Sequence, residues 1–151
     1  MSQIYFIEFA TPEYDEMVRL RYDVLRAPLG LSFTPEQLEK EYSDTLIGAY
    51  DNRNVLSGCL ILTHLNEDVL KMRQVAVAFD NQGQGVGKEL VIASENYARA
   101  KNFKKMELNA RDKAIPFYLK LGYEIIGDEF EEVGIKHRKM IKNLYSGLTD
   151  V

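Results

Sequence analysis

Three glycines at alternate positions follow a strongly apolar segment near the middle of the chain. The apolar run from Val75 to Phe79 passes through Asp80 and Asn81 into Gln82-Gly83-Gln84-Gly85-Val86-Gly87, and a stretch with helical periodicity follows. This order predicts a buried strand, a loop and a helix start. Because glycine adopts positive φ and lets a ligand approach the backbone, the amides of residues 84–87 can converge at the positive end of the helix dipole. The loop therefore predicts a pyrophosphate site, although a glycine-rich helix cap would have the same pattern.

The spacing of the glycines separates this loop from two other phosphate-binding sequences. Lys88 is followed by Glu89, where a Walker loop has Ser or Thr. The dinucleotide fingerprint needs the spacing G-x-G-x-x-G within a βαβ unit, which this loop lacks. A protein that binds ATP or NAD through the loop stays open as a less favoured alternative.

Length and composition indicate one domain, residues 1–151, with a core of its own. The chain has 151 residues, of which 46% are hydrophobic and 28% charged, so it can bury a core without metal or disulfide support. A formal net charge of −4 makes binding to nucleic acid through phosphate neutralisation improbable. Small molecules are the more plausible partners.

The cysteine, the histidines and the apolar runs give no sign of a metal site or a membrane span. Cys59 lies within an apolar run, where a buried and inert thiol is expected, and the two histidines are far apart, so no metal site is predicted. No apolar run reaches the about 18 residues that a membrane span requires. We therefore expect a cytoplasmic protein that needs neither metal nor membrane.

Apolar periodicity and turn residues predict the order β-α-β-β-β-α-β-α-β-β. Predicted strands cover Ile4–Ala10, Thr45–Tyr50, Val55–Leu65, Val69–Phe79, Lys105–Ala110, Tyr123–Phe130 and Ile135–Asn143. Predicted helices run from the Thr11 cap to Arg26, from Thr34 as a short helix, from the glycine loop to Lys101, and from Ala114 to Leu121. This order predicts a mixed sheet with helices on both faces and a loosely held tail after Tyr145.

Two motifs in a fixed order resemble the GNAT superfamily of N-acetyltransferases. The first is Gln82-x-x-Gly85-x-Gly87 after a strand, and the second is Phe117-Tyr118-x-x-x-Gly122-Tyr123 beyond the next strand. The cofactor-binding half of that fold corresponds to about Leu70 to Phe130, and the resemblance covers essentially the whole chain. Residues 108–111 and 134–140 further resemble the ElaA-like and YjcF-like branch.

The resemblance implies an α/β (α+β) GNAT acyl-CoA N-acyltransferase fold with a mixed, largely antiparallel and splayed sheet. It also implies acetyl-CoA as cosubstrate, with the pantetheine arm between the strand ending at Val77 and the strand ending near Asn109. The backbone of Val75 and Val77 would pair with the pantetheine amides. The implied cofactor-binding residues are Val75, Ala76, Val77, Gln82, Gly83, Gln84, Gly85, Val86, Gly87, Lys88, Asn109, Phe117 and Tyr118.

The catalytic residue that the resemblance implies is Tyr118, whose hydroxyl would donate a proton to the coenzyme sulfur. An aromatic packing residue is the alternative. The general base stays open, because Lys71 occupies the place where some family members carry a catalytic Glu. His137 can act as a base, position substrate or serve only in structure. Arg21 and Arg73 are candidate substrate contacts, with a solvated face and a structural ion pair as their respective alternatives.

The expected activity is therefore acetyl transfer to a primary amine of a small molecule or peptide, by direct attack in a ternary complex. A non-catalytic acyl-CoA-binding sensor or regulatory module is the alternative. The acceptor, the acyl chain length and the oligomeric state, including a homodimer, stay open.

Overall fold

The computed structural model describes residues 1–145, and the predicted tail after Tyr145 lies outside them. In chain order the helices and strands are β1 (Gln3–Ile7), α1 (Pro12–Arg21), α2 (Pro35–Glu39), β2 (Thr45–Tyr50), β3 (Leu56–His64), β4 (Val69–Val77), α3 (Val86–Ala100), β5 (Lys105–Arg111), α4 (Ile115–Lys120), β6 (Glu124–Glu132) and β7 (Ile135–Asn143). Shorter helical turns occupy Tyr22–Arg26, Ala27–Leu29, Lys40–Ser43, Phe79–Asn81 and Asp112–Ala114.

Within residues 1–145, seven strands form a sheet in the order β1-β2-β3-β4-β5-β7-β6. The pairs β1–β2, β2–β3, β5–β7 and β6–β7 are antiparallel, whereas β4 and β5 are parallel from Val69↔Lys105 to Met72↔Leu108. The predicted mixed and largely antiparallel sheet is thus confirmed. By their contacts, residues 1–63 and 73–94 form one compact unit, and residues 64–72 and 95–145 belong to a second.

The core of the first unit is built from two strands that are buried on both faces. β2 is buried from Leu46 to Tyr50, and β3 from Leu56 to Leu62. Met17 of α1 is fully buried and belongs to the same cluster as Cys59 and Ile61. Burial also raises the pKa of the Cys59 thiol to about 12, so the sulfur stays protonated and unreactive, as its apolar surroundings predict.

Local capping sets the helix starts of this unit where the sequence predicts them. The Thr11 hydroxyl accepts a hydrogen bond from the Tyr14 amide at 3.2 Å, and Pro12 takes the first helical position. Thr34 and Gln37 form a reciprocal capping box on α2. The predicted first helix differs at its end, because Tyr22–Arg26 forms a π-helical turn. β1 ends at Ile7, before Ala10, whose φ of 61° turns the chain.

A buried polar cluster holds α4 in the second unit. The Tyr123 hydroxyl donates to Glu95 at 2.9 Å, and the Lys142 ammonium donates to Glu95 at 3.0 Å and to the Leu121 carbonyl at 2.7 Å. Gly122 ends α4 with a φ of 94°, a conformation that favours glycine. The Lys142 contact with the Leu121 carbonyl ties the end of α4, the helix that carries Tyr118, to β7. Among residues 1–145, no helix combines the length and apolar character that crossing a membrane requires.

Candidate functional site

The glycine loop connects the end of β4 to the start of α3 in the first unit. After the turn at Phe79–Asn81, Gly83 and Gly85 adopt φ values of 80° and 88°. The Gln82 side-chain amide donates to the Val77 carbonyl at 3.0 Å, and that of Gln84 donates to the Asp80 carbonyl at 3.3 Å. These two bonds tie the loop to the strand that precedes it. The predicted strand, loop and helix are therefore present.

The loop leaves backbone donors available at the start of α3. The Glu89 amide donates to the Gly85 carbonyl at 3.0 Å, which is the first hydrogen bond of the helix. The amides of Val86, Gly87 and Lys88 therefore have no acceptor one helical turn earlier. A Cβ atom added at Gly83 or Gly85 would meet no atom within 4 Å, so the outer face of the loop is open. The free amides, the positive end of the helix dipole and the open space together make this loop suitable for binding an anion.

Gly58 lies outside the loop, on β3, and lets α3 pack close to the sheet. A Cβ atom at Gly58 of β3 would lie 2.8 Å from Val86 and 2.9 Å from Leu90. Val86 is consequently buried, and Ala76 of β4 is 1% exposed. The side chains of Val86 and Ala76 thus serve the core, whereas Val75 and Val77 remain half-buried. Lys88 and Gln84 are exposed on the loop side.

Gln74 is a feature of β4 that sequence reasoning did not identify. It adopts a φ of 55° within the strand, which is strained for a residue with a side chain. Its side-chain oxygen Oε1 is buried and has no hydrogen-bond partner among residues 1–145. No periodicity signal distinguishes a glutamine of this kind from its neighbours in the strand.

Tyr118 lies on α4 in the second unit, with a buried ring and an unpartnered hydroxyl. Its side chain is 7% exposed and packs edge-on against Phe117 and Tyr123, at centroid distances of 5.0 Å and 5.7 Å. Burial raises the pKa of the Tyr118 hydroxyl to about 12, so the group stays protonated at neutral pH. The hydroxyl forms no hydrogen bond within the described residues, and its proton is available to another acceptor.

Asn109 of β5 also carries an unsatisfied polar atom. Its side-chain oxygen Oδ1 is buried and lacks a hydrogen-bond partner in the part of the chain that the structure describes. A buried oxygen without a donor costs about 1–3 kcal/mol, so a ligand N–H group here would recover that energy. Of the residues that the resemblance assigns to the cofactor, Asn109 is the one whose environment most directly indicates a missing polar partner.

His137 of β7 has a defined tautomer. Its Nδ1 atom lies 2.8 Å from the Ile135 carbonyl, which can only accept, so Nδ1 carries a proton and Nε2 is the acceptor of the neutral ring. The ring is 5% exposed and stacks on Phe130 at 5.8 Å. It faces Arg111 across the β5–β7 register. His137 therefore combines a structural hydrogen bond at Nδ1 with a second ring nitrogen, Nε2, that can act as a base.

Arg21 is enclosed in the core of the first unit. Its side chain is fully buried and its guanidinium donates to both carboxylate oxygens of Glu41, at 2.9 Å and 2.7 Å. The Tyr14 hydroxyl donates to the same carboxylate at 2.7 Å, and the Phe33 ring covers the guanidinium at 4.8 Å. These contacts favour an internal ion pair over contact with a substrate.

Replacing Arg21 by Lys is expected to lower the free energy of unfolding by about 2 kcal/mol, because a lysine cannot reproduce the bidentate contact with Glu41. Urea unfolding measures this loss, and Arg19→Lys on the exposed face of α1 serves as the control. If Arg21→Lys kept full stability but raised the KM for an acceptor, a substrate-binding role would be supported instead.

Arg73 of β4 is held by an ion pair but keeps surface exposure. Its guanidinium lies 3.7 Å from the Asp44 carboxylate and donates to the Thr63 hydroxyl at 3.2 Å. The side chain is 37% exposed, so part of it can still meet a ligand. The structural ion pair weighed from the sequence is present, and it orients the guanidinium rather than enclosing it.

The predicted residues divide between the two units. The glycine loop, the end of β4 and Arg73 belong to the first unit, whereas Asn109, Tyr118 and His137 belong to the second. Arg21 is separated from any surface by its burial. Within residues 1–145, no group of three or more His, Cys, Asp or Glu side chains is arranged to hold a metal ion.

Comparisons with known proteins identify the family. Residues 26–144 match the acetyltransferase (GNAT) domain. The chain is 34% identical over 74 residues to the uncharacterised N-acetyltransferase YjcF of Bacillus subtilis, covering 48% of this chain and 53% of YjcF. It thus spans about half the length of the curated relatives that it matches.

Solved structures show the same fold. A protein of Lactobacillus plantarum assigned to the N-acetyltransferases has a TM-score of 0.85 at 22% identity, covering 95% of this chain and 98% of that chain. A GNAT family acetyltransferase of Elizabethkingia anophelis, solved with acetyl-CoA bound, has a TM-score of 0.73 at 21% identity, covering 94% and 97%. These likenesses confirm the predicted acyl-CoA N-acyltransferase fold. This chain belongs to the GNAT family of acetyltransferases.

Proposed function

We propose that the protein transfers an acetyl group from acetyl-CoA to a primary amine of a small molecule or peptide, in one step within a ternary complex. The observation that carries this proposal is the open glycine loop, where the amides at the start of α3 have no helical acceptor. Family membership supports an acyltransferase activity. We further propose that residues 1–151 work as a single N-acetyltransferase domain.

The cofactor residues are assigned by what each can bind. The amides of Val86, Gly87 and Lys88 hold the pyrophosphate, and Gly85 admits it without steric conflict. Asn109 Oδ1 accepts a hydrogen bond from an amide N–H group of the pantetheine arm, which gives the buried oxygen a partner. When bound, acetyl-CoA supplies the thioester whose acyl group is transferred. The acetyl-CoA found in the Elizabethkingia anophelis relative supports this choice of donor.

Tyr118 acts as the proton donor. Its pKa near 12 keeps the hydroxyl protonated across the neutral range, and the absence of a hydrogen-bond partner among residues 1–145 leaves the proton available. Edge-on packing against Phe117 and Tyr123 holds the ring in one orientation. A positioned donor of this kind protonates a departing thiolate.

His137 and Arg73 are proposed to serve the acceptor amine. The Nε2 atom of His137 can accept a proton from an ammonium, because Nδ1–H is engaged by the Ile135 carbonyl. Arg73 is held by Asp44 and Thr63 with part of its guanidinium exposed, which suits it to a carboxylate on the acceptor.

Release of free thiol from acetyl-CoA in the presence of a panel of primary amines tests this proposal. We expect at least one amine to accelerate thiol release, and we expect His137→Asn to slow that release. If acetyl-CoA binds but no amine accelerates release, the protein is instead the non-catalytic acyl-CoA-binding sensor.

A further inference from the structure

The sheet of the second unit has one buried face and one polar face. Met106 and Leu108 of β5 and Met140 of β7 are at most 2% exposed and belong to the buried face. Side chains alternate along a strand, and residues paired across a ladder share a face, so the intervening residues lie together on the other side. The polar face consists of Lys71, Glu107, Asn109, Arg111, His137 and Lys139.

The carboxylate of the polar face is held by one of its two lysine neighbours. Lys71 of β4 lies directly opposite Glu107 of β5 in the parallel register. The Glu107 carboxylate nevertheless lies 3.8 Å from the ammonium of Lys139, on the β7 side. Lys71 itself forms no ion pair with any of residues 1–145. The positive charge of Lys71 is therefore left without a counter-charge.

This arrangement favours a ligand with a negative charge. The ammonium groups of Lys71 and Lys139 flank the single carboxylate of Glu107, although the chain as a whole has a formal net charge of −4. The positive excess is thus local. Lys71 is half-buried and the Glu107 side chain is 17% exposed, so the surroundings screen these charges less than open solvent would.

His137, the proposed base for the acceptor amine, lies on the same face. Along β7 it is two residues from Lys139, which is about 7 Å in a strand. Lys71 is level with Glu107, four residues along β5 from the partner of His137, which is about 13 Å. An acceptor whose amine meets Nε2 of His137 can therefore extend its far end toward the two lysines.

We propose that the acceptor carries a carboxylate at the end remote from its amine, and that Lys71 is the specificity-determining residue that binds this carboxylate. Lys139 contributes by drawing Glu107 away from Lys71. An extended ω-amino acid or a short acidic peptide has the required chemistry, whereas a diamine would bring a second ammonium to Lys71. The inference rests on the proposed acetyl transfer and names the class of its acceptor.

Three acceptors of equal chain length test the proposal, namely 6-aminohexanoate, n-hexylamine and 1,6-diaminohexane. We expect kcat/KM to be about fivefold higher for 6-aminohexanoate than for n-hexylamine, and lowest for the diamine. Lys71→Gln should remove the advantage of 6-aminohexanoate by raising its KM about fivefold, while n-hexylamine is used as before. Lys71→Arg, which keeps the charge, should retain the preference.

Lys136→Gln is the matched control, because Lys136 precedes His137 on β7 and its side chain belongs to the opposite face. It should leave the order of the three acceptors unchanged. The proposal is overturned if n-hexylamine is used as well as 6-aminohexanoate, or if Lys71→Gln weakens the use of both equally.

Calorimetry separates failure of this inference from failure of the acetyl transfer. Binding of 6-aminohexanoate is measured with coenzyme A present, which has no acetyl group to donate. Binding that Lys71→Gln weakens about fivefold would support the carboxylate site even if no amine were acetylated. Equal binding to wild type and Lys71→Gln would overturn the inference, whatever the rate of acetyl transfer to other amines.

Discussion

Replacing Tyr118 by Phe should lower kcat for acetyl transfer by about 100-fold or more, with little change in the KM for acetyl-CoA. The variant keeps the edge-on contacts with Phe117 and Tyr123 and removes only the hydroxyl. Because no other residue of the described chain hydrogen-bonds to that hydroxyl, its removal leaves no other group unsatisfied. The free energy of unfolding should therefore change by less than about 0.5 kcal/mol. Steady-state kinetics and urea unfolding of the same preparation measure both effects.

Tyr123→Phe is the matched control and should behave in the opposite way. The Tyr123 hydroxyl donates to the buried Glu95 carboxylate at 2.9 Å, so its loss should lower the free energy of unfolding by about 1–3 kcal/mol. The folded variant should keep kcat close to that of wild type. Equal losses of kcat in both variants, each in proportion to lost stability, would mean that Tyr118 serves only in packing.

Gly85→Glu should weaken coenzyme A binding by about 100-fold or more, because it brings a negative charge and a side chain to the amides that hold the pyrophosphate. A Cβ atom at Gly85 meets nothing within 4 Å, so steric clash within the protein is not the cause. The φ of 88° is strained for glutamate and costs about 1–3 kcal/mol of stability. Gly85→Gln, with the same strain and no charge, should lose less affinity.

The control for backbone strain is Gly30→Glu. Gly30 has a φ of 69°, and a Cβ atom there also meets nothing within 4 Å. The free energy of unfolding of this variant should fall by about as much as that of Gly85→Glu, and its affinity for coenzyme A should be unchanged.

Calorimetry with acetyl-CoA, ATP and NAD on the same proteins completes the test. Wild-type affinity in Gly85→Glu would mean that the pyrophosphate binds elsewhere, and tight ATP binding without coenzyme A binding would support a nucleotide-binding protein.

Much of the fold follows from local signals. Thr11 before Pro12, and Thr34 before Pro35, mark helix starts through side-chain capping and a preset φ, and both helices begin there. Gly122 marks the end of α4, because the chain turns there with a left-handed φ that glycine adopts without strain. Ala10 also turns the chain, at a φ of 61°, but an alanine does not signal a turn in the sequence. The predicted end of the first strand at Ala10 therefore lies beyond the observed end of β1 at Ile7.

The candidate site is less accessible to sequence reasoning, because its contacts join distant residues. Arg21 and its partner Glu41 are twenty positions apart, and nothing in either segment specifies that they pair. The unpartnered oxygens of Gln74 and Asn109 emerge only once the surrounding residues are in place. The glycine loop was predictable because its donors belong to consecutive residues. Tyr118 could be assigned only through the family motif, since nothing else in the sequence of α4 distinguishes a catalytic tyrosine from a packing one.

The most direct test of the account is the fate of an isotopically labelled acetyl group. The protein is incubated with labelled acetyl-CoA and an amine accepted in the thiol-release panel, and mass spectrometry follows the label. An N-acetyltransferase should place the label in an amide of the amine, with one free coenzyme thiol for each amide, and Tyr118→Phe should slow both together. Label that remains as thioester, or appears only as free acetate, for every amine would contradict an N-acetyltransferase activity.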